Sequence, residues 1–334
     1  MAHLSEVDDS LVQEIEAVGA KVARVRDSIG RIIFGQERII EETLVTVLSG
    51  GHGLLVGLPG LAKTRLVETL GQVLGLDNRR IQFTPDLMPA DILGSEILEE
   101  GEGGRRAFRF LPGPVFCQLL MADEINRASP RTQSALLEAM QEKQVSVAGQ
   151  RHALPRPFHV LATQNPIDQE GTYPLPEAQL DRFLLQIDVD YPDRDAERQM
   201  LLATTGTDDA VAEAVLTADE LLAAQHLVRR LPVGETVLEA ILTLVRSARP
   251  GGEGNAPDGP TADIAWGPGP RAAQALMLAV RARALLDGRL APSVDDVIDL
   301  AQPILRHRMA LTFAARAEGV TVRDVITRLV APLR

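Results

Sequence analysis

The sequence holds a single cysteine, Cys117, so no disulfide can close within the chain. Cys117 stands in the apolar run Cys117-Gln118-Leu119-Leu120-Met121-Ala122 and reads as a small core residue in a reducing compartment. Aromatic residues amount to only 3%, so the cores must be filled by Val, Ile, Leu and Ala. Positive charge is scarce as well: 34 Lys and Arg against 46 Asp and Glu leave a formal net charge of −12. That balance excludes a general affinity for nucleic-acid backbone, which needs clustered cations, and leaves only a local basic patch open. No apolar run approaches the ~18 residues of a membrane-spanning helix. Glu6, Asp8 and Asp9 lie where a signal peptide would carry positive charge, so a soluble, cytoplasmic protein without a membrane span is expected.

What is present begins with size: 334 residues at 45% hydrophobic content can fill two domain cores. The stretch that organises the chain is Gly57-Leu58-Pro59-Gly60-Leu61-Ala62-Lys63-Thr64. It follows the apolar run Leu54-Leu55-Val56 and leads into Leu66, Val67, Leu70, Val73 and Leu74 at helical spacing, which reads as strand, glycine loop, helix. A loop in that position turns several backbone N–H groups and a helix N-terminus toward one point, where a polyanion can be held. Lys63 adds a mobile charge for β and γ phosphates, and the Thr64 hydroxyl is placed to ligate Mg²⁺. Ala62 occupies a position where the phosphate-loop pattern has glycine. As a residue that already begins the helix it is expected at negative φ, where a methyl group costs little.

Ahead of this stretch, Leu11, Ile15, Val18, Val22, Val25 and Ile29 follow the steps of an amphipathic helix with a narrow apolar stripe, and Ile40, Leu44, Val47 and Leu48 give a second. Beyond it, apolar runs recur at Cys117–Ala122, Val160–Ala162 and Leu184–Val189, separated by helical or irregular segments. Strands spaced by helices predict a parallel sheet covered on both faces, with ligands at the carboxyl ends of the strands. Gly57, Asp123 and Asn165 each follow such a run and should gather at one edge. Residues 94–111 and 144–161 read as hairpins, either surface decoration or loops that touch a partner or pore. From about residue 195 the pattern is all-helical, with starts at Thr217-Ala218-Asp219-Glu220 and Ser293-Val294-Asp295-Asp296 and a loop from Pro250 to Pro260.

Asp123-Glu124 ends an apolar strand with two adjacent carboxylates. Asp123 would hold Mg²⁺, directly or through water, and Glu124 would orient and polarise an attacking water. Ser129-Pro130 is an N-cap followed by proline at the first helical position, which fixes the turn containing Arg127. Arg127 and Arg131 then lie near the nucleotide edge or are simply solvated. Asn165, before Pro166, is either a turn residue or a hydrogen-bonding partner of the γ-phosphate and lytic water.

The order and wording of Gly57–Thr64, Ala122-Asp123-Glu124-Ile125-Asn126-Arg127-Ala128, Ala162-Thr163-Gln164-Asn165-Pro166 and Gln179-Leu180-Asp181-Arg182-Phe183 resemble the MoxR family of AAA+ ATPases, whose members commonly carry the alanine seen at position 62. The resemblance is strong over roughly residues 30–195 and looser through 215–330. It implies an N-terminal helix (1–30), a parallel-sheet P-loop α/β core (31–195) and an all-helical lid domain (196–334), with ATP and Mg²⁺ as ligands. Ile33, Phe34 and Gly35 would border the adenine, and the loop together with Arg65 would hold the phosphates. Arg182 would be an arginine finger reaching a neighbouring subunit's nucleotide, and Arg271, in Gly267-Pro268-Gly269-Pro270-Arg271, a sensor contacting the γ-phosphate from the lid. From local chemistry alone, Arg182 could be a capping or ion-pair residue, whereas Arg271 is electrostatically disfavoured at a helix start. The hairpins would correspond to a helix-2 insert and a pre-sensor 1 hairpin. The implied activity is ATP hydrolysis by a hexameric ring that remodels or matures partner proteins through a von Willebrand factor A domain adaptor, without nucleic acid. A magnesium-chelatase-like motor subunit and a slow ATP-dependent switch or scaffold are the alternatives.

Overall fold

The structure, a computed structural model, describes residues 9–100, 106–167, 171–205, 212–250 and 260–334. The glycine-rich tip of the first hairpin at 101–105 and most of the 250–260 loop lie outside the described residues.

Two helices open the chain, α1 (Asp9–Gly30) and α2 (Glu37–Leu48). An α/β segment follows: β1 (Gly53–Gly57), α3 (Lys63–Val73), β2 (Asn78–Gln82), α4 (Pro89–Leu93), β3 (Gly94–Glu100), β4 (Arg106–Pro112), β5 (Leu119–Asp123), α5 (Pro130–Glu142), β6 (Gln144–Val147), β7 (Gln150–Ala153), β8 (His159–Gln164), α6 (Glu177–Leu180), β9 (Leu185–Val189) and α7 (Arg194–Thr204). The remainder is helical: α8 (Ala218–Arg230), α9 (Glu235–Ser247), α10 (Pro270–Leu286), α11 (Val294–Leu305), α12 (Phe313–Ala317) and α13 (Val322–Val330), with a short ribbon of β10 (Ile264–Trp266) and β11 (Ala310–Leu311).

The central sheet has five strands in the order β2-β5-β8-β1-β9, paired in parallel throughout. Four of its strands coincide with the segments expected from apolar runs, with ends moved by one or two residues. Gln118, just before β5, bonds the Asp77 N–H at 3.0 Å and the Arg156 carbonyl at 2.9 Å with its side chain. Leu54, Leu120, Ala122, Val160 and Ala162 contribute to one core with Ile125, Leu136, Leu137 and Met140, to which Phe83, Phe158 and Phe183 add aromatic rings. Each Val, Leu, Ile, Phe or Met side chain buried there contributes ~1.5–3 kcal/mol relative to exposure. The two expected hairpins are β3–β4 and β6–β7, both antiparallel.

The chain groups into two compact units that cut across the expected boundaries at 30/31 and 195/196. Among the described residues, one holds the sheet, with residues 32–35 and those within 50–218; the other holds residues 9–31, 36–49 and those within 219–334. The reason lies in the apolar stripe of α1: Ile15, Val22, Val25 and Ile29 are buried, and α1 packs against α2 and α10. In that helical unit, α10 buries Ala272, Ala275, Ala279, Ala282 and Ala284, small residues that let neighbouring helices approach closely. α11 starts at a capping box in which Ser293 accepts from the Asp296 N–H while Asp296 accepts from the Ser293 N–H. No helix among the described residues is long and apolar enough to cross a membrane.

Candidate active site

The carboxyl edge of the sheet is built by register. Leu55 of β1 pairs with Thr163 of β8 and Val56 with Gln164, so Asn165, the next residue, is level with Gly57. Ala122 of β5 pairs with Ala162, which sets Asp123 level with Thr163. Gln82 of β2 pairs with Asp123, bringing a fourth strand end to the same edge.

The loop from Gly57 to Ala62 joins β1 to α3. Gly57 is required by close packing, since a Cβ there would stand 2.4 Å from the Val189 carbonyl of β9. Gly60 is required by conformation, with φ of +83°. Ala62 departs from expectation: it is the residue before α3, and its φ of +56° and ψ of +17° place it in the left-handed region. Helical φ begins only at Lys63. The alanine therefore carries a conformational cost of ~1–2 kcal/mol that glycine would avoid.

The Lys63 ammonium donates to the carbonyls of Gly57 at 2.5 Å and Leu58 at 2.7 Å, curling over the loop. Burial lowers its pKa, and the Asp123 and Glu124 carboxylates oppose that shift. Thr64 is the second residue of α3, and Arg65 is exposed. Gly35, at φ +65°, packs so tightly that a Cβ would meet Ala196 Cβ at 2.1 Å and Pro192 Cβ at 3.6 Å. Pro192 and Ala196 follow Val189, the partner of Gly57, so Ile33, Phe34 and Gly35 pass the same end of the sheet.

Thr163 ties the Asp123 carboxylate and the Glu124 backbone to β8. Its hydroxyl donates to Asp123 Oδ1 at 2.5 Å and accepts from the Glu124 N–H at 2.8 Å. Glu124 has φ of +56° and ψ of +50°, a left-handed conformation that turns its side chain off the strand direction. Glu124 Oε2 accepts from Gln82 Nε2 at 2.8 Å and from Arg127 Nη1 at 3.1 Å. Asp123 Oδ2 accepts from Arg80 Nε at 3.2 Å and Nη2 at 2.6 Å. Arg80, Gln82 and Thr163 are thus site residues whose roles sequence reasoning missed. The only signal for the first two was their period-two spacing around Ile81.

Asn165 is buried and accepts from the Ile167 N–H at 3.2 Å, the bond of a turn. The Ser129 cap precedes α5 as expected. Arg131 is exposed in the first turn of α5. Arg182 follows α6. It lines a polar cavity of ≈ 500 Å³ with Glu138, Glu142, Arg151 and Gln179. Arg271 lies in the first turn of α10, in the helical unit, and is exposed.

No three His, Cys, Asp or Glu side chains cluster as an all-protein metal site among the described residues. Mg²⁺ is ordinarily held by one or two carboxylates with substrate phosphates and water. The Thr64 hydroxyl and the Asp123 carboxylate are hard-oxygen donors of the kind such a site uses.

A parallel sheet with a glycine loop and lysine after β1, paired carboxylates after β5 and a separate helical unit define an AAA-type P-loop ATPase core with its lid. The sequence matches the ATPase family associated with various cellular activities (AAA) over residues 52–185 and the AAA lid domain over residues 261–329. It is 41% identical over 321 residues to "Chaperone MoxR1" of Mycobacterium tuberculosis, covering 96% of this chain and 83% of that protein. Identity to "Protein MoxR" of Paracoccus denitrificans is 32% over 310 residues, covering 87% and 89%. A crystal structure of a candidate ATPase from Cytophaga hutchinsonii superposes with a TM-score of 0.87 at 36% identity, covering 97% of this chain and 98% of that one. The chain belongs to the MoxR family of AAA+ ATPases, and it binds and hydrolyses ATP.

Proposed function

We propose that the chain works as a hexameric ring in which ATP lies between neighbouring copies and its hydrolysis drives chaperone-like remodelling or maturation of a partner protein. The N–H groups of residues 58–64 hold the phosphates. Lys63 exchanges its two loop carbonyls for phosphate oxygens, a better match for an ammonium already partly desolvated. Thr64 and Asp123 would hold Mg²⁺, which would supply neutralising charge to the phosphates. Glu124 leaves Gln82 and Arg127 to accept the proton of a water that Asn165 also holds. That water attacks the γ phosphorus as the bond to the bridging oxygen breaks, giving ADP and inorganic phosphate. Arg271 contacts the γ-phosphate from α10. Arg182, in a cavity that no phosphate-loop residue lines, serves the neighbour's nucleotide.

The observation that carries this reading is that Gly57, Asp123, Glu124 and Asn165 fall within two residues of one another along one sheet edge, with Thr163 holding Asp123 and Glu124, while no phosphate-loop residue lines the cavity beside Arg182. The resemblance to MoxR proteins supports a client reached through a von Willebrand factor A domain adaptor in the cytoplasm, with the two hairpins facing a central pore. The test is complementation: Arg182→Ala and Glu124→Gln should each be inactive, and mixing them should restore part of the turnover through interfaces that pair two intact halves. No recovery at any mixing ratio would refute a shared site.

A further inference from the structure

β2 carries a cation that no motif singles out. The Arg80 guanidinium grips Asp123 Oδ2 with two donors, Nε at 3.2 Å and Nη2 at 2.6 Å, while Asp123 Oδ1 is taken by Thr163 Oγ1 at 2.5 Å. Both oxygens of the carboxylate that a metal would use are therefore engaged. Arg80 Nη2 also reaches Gln82 Oε1 at 3.1 Å, so the guanidinium keeps a second acceptor on its own strand. The two partners differ in freedom: the Asp123 side chain is 12% exposed and that of Arg80 48%. The carboxylate is fixed in the protein, and the guanidinium is the member of the pair that can withdraw into water.

We propose that Arg80 is a positioning residue that sits on Asp123 as a stand-in for the metal and competes with it, so that this ion pair sets the divalent-cation concentration the ATPase requires. The proposal rests on the assignment of Mg²⁺ to Asp123 made above. Guanidinium and divalent cation draw on the same oxygen lone pairs, and a positive charge against a ligand oxygen weakens the potential that attracts a second cation. Thr163 remains on Oδ1 whether or not Arg80 is bound, which keeps the carboxylate oriented while Arg80 moves aside.

The test titrates Mn²⁺ into the full-length chain saturated with ADP and counts free Mn²⁺ by electron paramagnetic resonance. Arg80→Met keeps the aliphatic stem and removes the charge; the half-saturating Mn²⁺ concentration should fall about tenfold, a change of ~1.4 kcal/mol in binding. Arg80→Lys keeps the charge without the two-pronged grip and should fall between Met and wild type. ADP affinity measured in EDTA should be the same in all three. Asp123→Asn should raise the half-saturating concentration. If Asp123→Asn weakens Mn²⁺ binding while Arg80→Met leaves it unchanged or weakens it, the competition is overturned and the metal assignment stands. If Asp123→Asn leaves the titration unchanged, the metal assignment itself fails. Should Arg80→Met not fold, an Arg80→Lys titration no tighter than wild type overturns the competition by itself.

Discussion

Acidification should strip stability from the sheet unit through two buried imidazoles. His52, just before β1, accepts the Val160 N–H on Nδ1 at 2.9 Å and donates from Nε2 to the Met140 carbonyl at 3.2 Å, with its ring edge-on to Phe158. His159 donates from Nδ1 to the Gly51 carbonyl at 2.8 Å. Both rings are buried and neutral. Protonating His52 would set a second donor against the Val160 N–H. Burial, the neighbouring His159 and Lys143 push the His52 pKa down to about 3; burial and Lys143 push that of His159 down to about 4, against the Gly51 bond that raises it. Each folded pKa lies below the ordinary value of 6.5, so below pH 6.5 the unfolded chain binds more protons than the folded one. The stabilisation is complete above pH 6.5 and drains away as pH falls toward 4 and then 3. At pH 5 each imidazole should have lost about 2 kcal/mol, together about 4, a large share of the 5–15 kcal/mol typical of a folded domain. Urea unfolding at pH 7, 6 and 5 measures this. The double variant His52→Asn, His159→Asn keeps a donor and an acceptor at each position without a titrating group, and its curves should shift far less with pH. Equal pH dependence in variant and wild type would refute the assignment, whatever the variant's absolute stability.

The left-handed backbone at Ala62 makes a directional prediction: Ala62→Gly should bind ADP at least as tightly as wild type, whereas the β-branched Ala62→Val should lose nucleotide binding, both read by calorimetric titration. A valine variant that binds normally would show that the loop need not keep this conformation. Thr163→Val removes the hydroxyl shared by Asp123 and the Glu124 N–H, leaving buried polar atoms unpaired at ~1–3 kcal/mol. ATP turnover should fall by about tenfold or more, with ADP affinity changed little, because the hydroxyl positions the carboxylates and not the loop; an equal loss of both would place Thr163 elsewhere in the account.

Much of this architecture was legible because the buried parallel strands write themselves as aliphatic runs and the phosphate loop has a fixed wording. β2 was not: Asn78-Arg79-Arg80-Ile81-Gln82 is an edge strand with one buried side chain, so it lacks the apolar signature, and Arg80 and Gln82 stayed hidden with it. The conformation of Ala62 was misjudged for a different reason. A motif fixes residue types but not the residue at which helical φ begins, and here that is Lys63. The grouping of α1 and α2 with the distant C-terminal helices was equally hidden, because an amphipathic stripe shows that a face is buried without naming its partner. The ion pair between Arg127 and Glu124 depends on a left-handed turn at Glu124 that nothing in the local spelling required.

The central proposal is that each active site is assembled from two copies of the chain. Specific ATPase activity measured across a wide dilution series at saturating Mg·ATP tests it most directly: activity per chain should collapse as the protein falls below the concentration at which light scattering shows assemblies. Undiminished activity per chain in a sample that remains monomeric would contradict it.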